Sequence, residues 1–107
     1  MTGARDPAID ALLAAARMQF AGSLPAKTAD VEALVAGGAW AEARRAAHKL
    51  RGSAGTYGFA ALGAAAGAIE DTILEGNDGP DAEARSRIAR RLEEMRVEAD
   101  RAAREAR

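Results

Sequence analysis

The chain has 107 residues, enough for one domain with a modest core, and 30 of its 52 hydrophobic residues are alanine. Val, Ile and Thr together number 11 and few stretches alternate apolar with polar, which argues against a sheet protein and for closely approaching helices. Fifteen basic residues against 16 acidic ones leave a net charge of -1, no footprint of a general nucleic-acid or anionic-membrane binder, and the lack of cysteine excludes disulfides, thiolate metal sites and a cysteine nucleophile.

The N-terminal stretch Met1 to Pro7 lacks the apolar run of a signal peptide, and nowhere do about 18 uninterrupted apolar residues occur. A soluble, cytoplasmic protein is the expectation. Asp6-Pro7 reads as a helix start, because an aspartate caps free amides and proline is tolerated in the first helical turn. Ile9, Leu12, Leu13, Ala16 and Phe20 then recur at helical spacing. Gly22-Ser23-Leu24-Pro25 interrupts the pattern, predicting a kink or short break in this first segment. Helical spacing resumes with Val31, Leu34 and Val35 and stops at Gly37-Gly38.

A second helix is expected from about Ala39 to Tyr57, burying Ala43, Ala47, Leu50, Ala54 and Tyr57. After a turn at Gly58, Phe59, Leu62, Ala66, Ile69 and Ile73 form a third stripe, which Gly76-Asn77 closes as residues acceptable in left-handed backbone. Asp78-Gly79-Pro80 reads as a loop. From Asp81 to Arg107, Ile88, Leu92, Met95, Ala99 and Ala102 form one apolar seam among eight basic and seven acidic residues. A single seam over fewer than four heptads predicts packing on the chain's own domain rather than a coiled coil, and hence a monomer. The sum is a single all-α domain over residues 1–107, an up-and-down four-helix bundle with short loops.

Most catalytic constellations are missing from the inventory. There is no phosphate-binding GxxxxGK[ST] loop, no metal-ligand spacing and no nucleophile elbow around Ser23, Ser53 or Ser86. The informative run is Ala47 to Phe59. With residues 43, 47, 50, 54 and 57 facing the core, residues 41, 44, 45, 48, 51, 52 and 55 share another face, so the only histidine, His48, points mainly into solvent. Helical side chains lean toward the N-terminus, which brings the Arg51 charge back over the imidazole while Gly52 leaves its side uncovered. A glycine inside a helix costs about 1 kcal/mol relative to alanine, and in so alanine-rich a chain the empty position points to a use for the space. Arg44, Arg45, Lys49 and Arg51 against Glu42 give residues 41–52 a local excess of positive charge that suits an anion or an acidic partner. Gly55, Gly63 and Gly67 are expected to let helices approach closely, and Trp40, Tyr57 and Phe59 to pack in or at the edge of the core. Phe20, Leu24 and Leu13 are likewise assigned to packing rather than to a docking surface.

An exposed imidazole with an ordinary pKa near 6.5 is substantially neutral at cellular pH and can act as a nucleophile. A neighbouring guanidinium can hold phosphoryl oxygens by charge-assisted hydrogen bonds. The run resembles the signature of histidine-containing phosphotransfer (HPt) domains, His-x-hydrophobic-Lys-Gly-small-small with a further glycine ten residues after the histidine. His48, Leu50, Gly52, Ser53, Ala54 and Gly58 match it, and Arg51 stands where the family usually has lysine, a cation of different reach and geometry.

The resemblance implies a four-helix bundle that accepts a phosphoryl group on His48 Nε2 from the aspartate of one receiver domain and passes it to another in a bacterial phosphorelay. It implies response-regulator receivers and a hybrid histidine kinase as partners, Mg²⁺ brought by the receiver rather than held by this chain, and no autonomous kinase activity. His48 and Arg51 are then the reacting residues, with Arg44, Arg45, Lys49, Gly52 and Gly55 as the docking face. Two other readings stand beside this one: a helical interaction or scaffold module with an incidental histidine, and the phosphate-accepting module of a larger sensor or chemotaxis-type kinase. The chain's own methionine start and short length favour a free-standing carrier. A dimerising kinase module fits less well because Lys49 replaces its usual acidic residue.

Overall fold

In the computed structural model, residues 6–76 and 78–106 are described. Four helices follow in order: α1 (Pro7–Ala36), α2 (Trp40–Tyr57), α3 (Ala60–Glu75) and α4 (Ala82–Glu105). Each helix packs against its neighbours in sequence and α1 closes the ring against α4. This is the antiparallel four-helix bundle expected from the apolar stripes. No helix among the described residues is long and apolar enough to cross a membrane.

The ends of the helices follow local chemistry. Asp6 accepts a hydrogen bond from the Ala8 amide at 2.8 Å with Pro7 in the first turn, and Asp81 accepts one from the Ala84 amide at 2.8 Å. Gly58 takes left-handed backbone (φ 81°), letting the Phe59 amide reach back to the Ala54 carbonyl at 2.8 Å. Gly38 does the same for α1, with φ 70° and the Ala39 amide bonded to the Leu34 carbonyl. The expectation of left-handed backbone at Gly76 is corrected: this residue is extended (φ -94°, ψ 146°), and a Cβ there would lie 2.7 Å from the Gly79 carbonyl oxygen. Its glycine thus answers a close approach of backbone. Asn77, the other residue named for that turn, lies outside the described residues, as do residues 1–5 and Arg107.

Two expectations for α1 also change. The helix runs unbroken through Gly22-Ser23-Leu24-Pro25, so there is no short break. Proline removes one amide from the ladder and costs about 3 kcal/mol in a helix interior, but Phe20, Ala21, Leu24, Thr28 and Val31 are buried on both sides of it. Burial of that stripe offsets the local cost, and the Ser23 hydroxyl donates to the Phe20 carbonyl at 2.6 Å. Secondly, the apolar stripe of the first turns is not buried: Ile9, Leu12 and Leu13 are exposed, and burial starts at Phe20. At about 1.5 Å per residue α1 extends roughly 45 Å, against roughly 27 Å for α2 and roughly 36 Å for α4, the two helices it packs on, so its first turns extend beyond both.

The core consists of the α1 stripe with Ala43, Ala47, Leu50 and Ala54 of α2, Leu62, Ala65, Ala66, Ile69 and Ile73 of α3, and Ile88, Met95, Ala99 and Ala102 of α4. Trp40, Tyr57, Phe59 and Leu92 are half-buried at its edge. At one end Phe20 stacks on Tyr57 with ring centroids 4.8 Å apart, and Arg17 donates from Nε to the Tyr57 carbonyl while its guanidinium lies over Phe59. This cluster ties α1 to the turn between α2 and α3 and so fixes the register of the helix that carries His48. The charged face of α4 is laced by arginine–carboxylate pairs three or four residues apart, Arg96 with Glu93 among them.

Candidate functional site

Helix α2 buries the stripe at Ala43, Ala47, Leu50 and Ala54, and the 3.6-residue period then turns His48 outward: its side chain is 70% exposed. The imidazole is nevertheless held. Nδ1 lies 2.6 Å from Oε2 of Glu70, a residue of the facing helix α3 whose side chain is only 7% exposed. A carboxylate oxygen accepts, so the Nδ1–H donates and the ring's unprotonated nitrogen in the neutral form is Nε2. Nε2 has no hydrogen-bond partner among the described residues.

The second Glu70 oxygen, Oε1, accepts from Arg51 Nη1 at 3.3 Å, and the same nitrogen lies 3.9 Å from Asp71 Oδ1. Arg51 is therefore drawn toward α3, sharing one carboxylate with His48, beyond the placement over the imidazole expected from α2 alone. Gly67 lies beneath it, and a Cβ built there would sit 3.1 Å from the Arg51 Cδ and Nε.

The remaining sequence candidates surround the histidine on α2. Arg44 is half-buried and Arg45 exposed, one turn before His48, with no carboxylate within 4 Å among the described residues. Lys49 points the other way and lines a cleft of about 240 Å³ between α1 and α2, together with Lys27, Asp30, Val31, Ala46, Leu50 and Ser53. Gly52 and Gly55 are exposed, and a Cβ at either would meet nothing within 4 Å. The open position at Gly52 is as expected, but the close helix approach expected at Gly55 is corrected, since that glycine faces solvent. Gly63 and Gly67 do lie against α2, at the Ala54 Cβ and the Arg51 side chain respectively.

Glu70 and Gly67 are the site residues that the sequence pattern of α2 could not supply. One signal for Glu70 was present: it stands in the buried stripe of α3, beside Ile69 and between Ala66 and Ile73, and a carboxylate among apolar positions demands a polar partner. Among the described residues no group of three or more histidines or carboxylates could hold a metal ion. The assembly presents one nucleophilic ring nitrogen, oriented from behind by a buried acid, with cations on both sides and open surface on its C-terminal flank.

Comparison with curated proteins and with solved structures gave no match. The Hpt domain family model matches residues 15–104, a span that takes in all of α2 and α3 and most of α1 and α4. With that match over most of its length and four antiparallel helices bearing the exposed histidine, the chain belongs to the Hpt domain family.

Proposed function

We propose that His48 is the phosphoryl acceptor of a phosphorelay, taking the group from a phosphoaspartate on one receiver domain and delivering it to the aspartate of another. The observation that carries this reading is the pairing of an exposed imidazole with a buried carboxylate, His48 Nδ1 to Glu70 Oε2 at 2.6 Å, which leaves Nε2 as the free lone pair. In the forward step the Nε2–P bond forms as the bond from phosphorus to the aspartyl oxygen breaks, and the receiver's carboxylate leaves with that electron pair. The ring becomes positively charged as the bond forms. Glu70 is placed to stabilise that charge through the Nδ1 proton and to hold the ring for in-line approach. Arg51, beside the imidazole, supplies positive charge toward the phosphoryl oxygens. The return step reverses these events.

Receivers carry the acid pocket and Mg²⁺, so the metal enters with the partner. Arg44 and Arg45 form the positive rim of the docking face beside His48, Lys49 adds charge at the neighbouring α1–α2 cleft, and the empty positions at Gly52 and Gly55 give the receiver room to bring its aspartate to Nε2. Incubation with a radiolabelled phosphorylated receiver and Mg²⁺ tests the reading. The wild type should take up an acid-labile, alkali-stable label, and His48→Gln should take up none while retaining helicity and thermal stability. Absence of label in the wild type with a panel of receivers, or undiminished label in the variant, overturns it; the first result would favour a scaffold.

A further inference from the structure

The site contains a glycine with no evident reason in local helix chemistry. Residues 64 to 68 read Ala-Ala-Ala-Gly-Ala in the middle of α3, where alanine is the better helix former and Gly67 is a costly exception. Gly63, one turn earlier, is no parallel, since a Cβ there would meet the Ala54 Cβ at 3.5 Å and the Arg51 carbonyl oxygen at 3.7 Å, normal van der Waals distances at which an alanine fits. Gly67 differs. A Cβ there would lie 3.1 Å from both Cδ and Nε of Arg51 and 3.4 Å from Cζ, tight enough that the side chain must shift by a few tenths of an ångström, away from its seat against Glu70.

Positions 67, 70 and 71 share one face of α3. They make a cradle shaped for a guanidinium: a bare backbone floor at Gly67, with the Glu70 and Asp71 carboxylates 3.3 and 3.9 Å from Arg51 Nη1. We infer that Gly67 is a positioning residue: its missing side chain seats Arg51 against Glu70 Oε1, and the carboxylate so fixed holds the His48 Nδ1 proton through Oε2. Arg51 then has a task in the resting protein, orienting the acid behind the nucleophile, besides any contact with an incoming phosphoryl group. The inference rests on the phosphoryl-acceptor reading of His48, but its central observable, the tautomer of the ring, needs no receiver.

The test compares wild type, Gly67→Ala, Arg51→Ala and the double variant by ¹⁵N NMR of the imidazole and by rate of label uptake, with Gly22→Ala as a control, since a Cβ at Gly22 meets nothing within 4 Å. Gly67→Ala should raise the population of the Nε2–H tautomer and slow uptake by about tenfold, a typical effect of disturbing a residue that orients a reactive group. On the Arg51→Ala background the same substitution should change neither quantity, because the side chain it displaces is gone. A loss from Gly67→Ala that persists undiminished without Arg51 marks a merely structural glycine and overturns the inference. If Gly67→Ala fails to fold, Arg51→Ala alone decides: a shifted tautomer supports the inference. Slowed uptake with an unmoved tautomer overturns it while leaving His48 as the acceptor, and absence of uptake in the wild type instead overturns that acceptor reading.

Discussion

At the scale of single residues, the site depends on one carboxylate doing two things, accepting a hydrogen bond from Nδ1–H and carrying negative charge. Glu70→Gln separates them. The amide oxygen can still accept from Nδ1, but its NH2 then faces Arg51 and cannot accept from it, so the tautomer should be loosened rather than lost, and a neutral acceptor stabilises a developing imidazolium about half as well as a charged one. Uptake of label should slow by about fivefold, on the order of 1 kcal/mol of barrier. Glu70→Ala should slow it further and release the tautomer as well, which the same NMR measurement reads; equal rates for wild type and Glu70→Gln would remove charge from the account. How far this was legible follows from helix geometry. The outward placement of His48 and the open flank at Gly52 derive from a period of 3.6 within one helix, and the sequence alone suffices for both. The partner behind the ring comes from 22 residues further on, across an interface whose register depends on the packing of Leu50 and Ala54 against α3. No local periodicity carries that information, and the same is true of the seat that Gly67 provides for Arg51.

At the scale of the element, α1 shows propensity giving way to packing in one half and finding nothing to pack on in the other. Gly22 and Pro25 are strong local punctuation, and from the sequence they predict a kink or a short break, of which the unbroken helix excludes the break. Leu24 lies between them fully buried, and Thr28 and Val31 follow on the same face. The bundle therefore imposes helix where local preference would end it. In the first turns the pattern Ile9, Leu12, Leu13 is as periodic as any in the chain, yet these residues stay exposed because α2 and α4, the neighbours of α1, end short of them. Periodicity reports that a face exists and is silent on whether a neighbour reaches it. The two halves should respond differently to the same substitution. Leu24→Ala removes a fully buried side chain and should cost about 2–5 kcal/mol, whereas Leu12→Ala, at a site 70% exposed, should change stability by less than about 0.5 kcal/mol. Urea unfolding followed by circular dichroism measures both. A large cost at Leu12 would show that the free protein buries a face the bundle leaves open.

At the scale of the whole molecule, a net charge of -1 conceals an uneven distribution. On α4, Arg87, Arg91, Arg96 and Arg101 each lie within 4 Å of a carboxylate, and Arg51 is held by Glu70 and Asp71. Beside His48, Arg44 and Arg45 have no such partner among the described residues, as is also true of Arg85, Arg90 and Arg104 on α4, and Lys27 and Lys49 line the cleft between α1 and α2 together with Asp30. Cations without a paired carboxylate act on an approaching acidic protein before contact, over a distance set by screening, about 10 Å at 0.1 M salt. In the proposed transfer the chemistry at Nε2 follows docking, at distances salt does not screen. The two stages should therefore separate. Raising ionic strength from about 50 to about 500 mM should lower the second-order rate constant for uptake from a dilute phosphorylated receiver several-fold, and leave the first-order rate at saturating receiver nearly unchanged. Charge reversal at Arg45 and Lys49, both exposed and both clear of the Glu70 network, should lower the second-order constant at low salt and flatten its salt dependence without moving the first-order rate. A second-order constant indifferent to salt would mean that the cations around the histidine do not guide the partner, and the docking face would then have to be sought in the apolar walls of the cleft, Val31, Ala46 and Leu50.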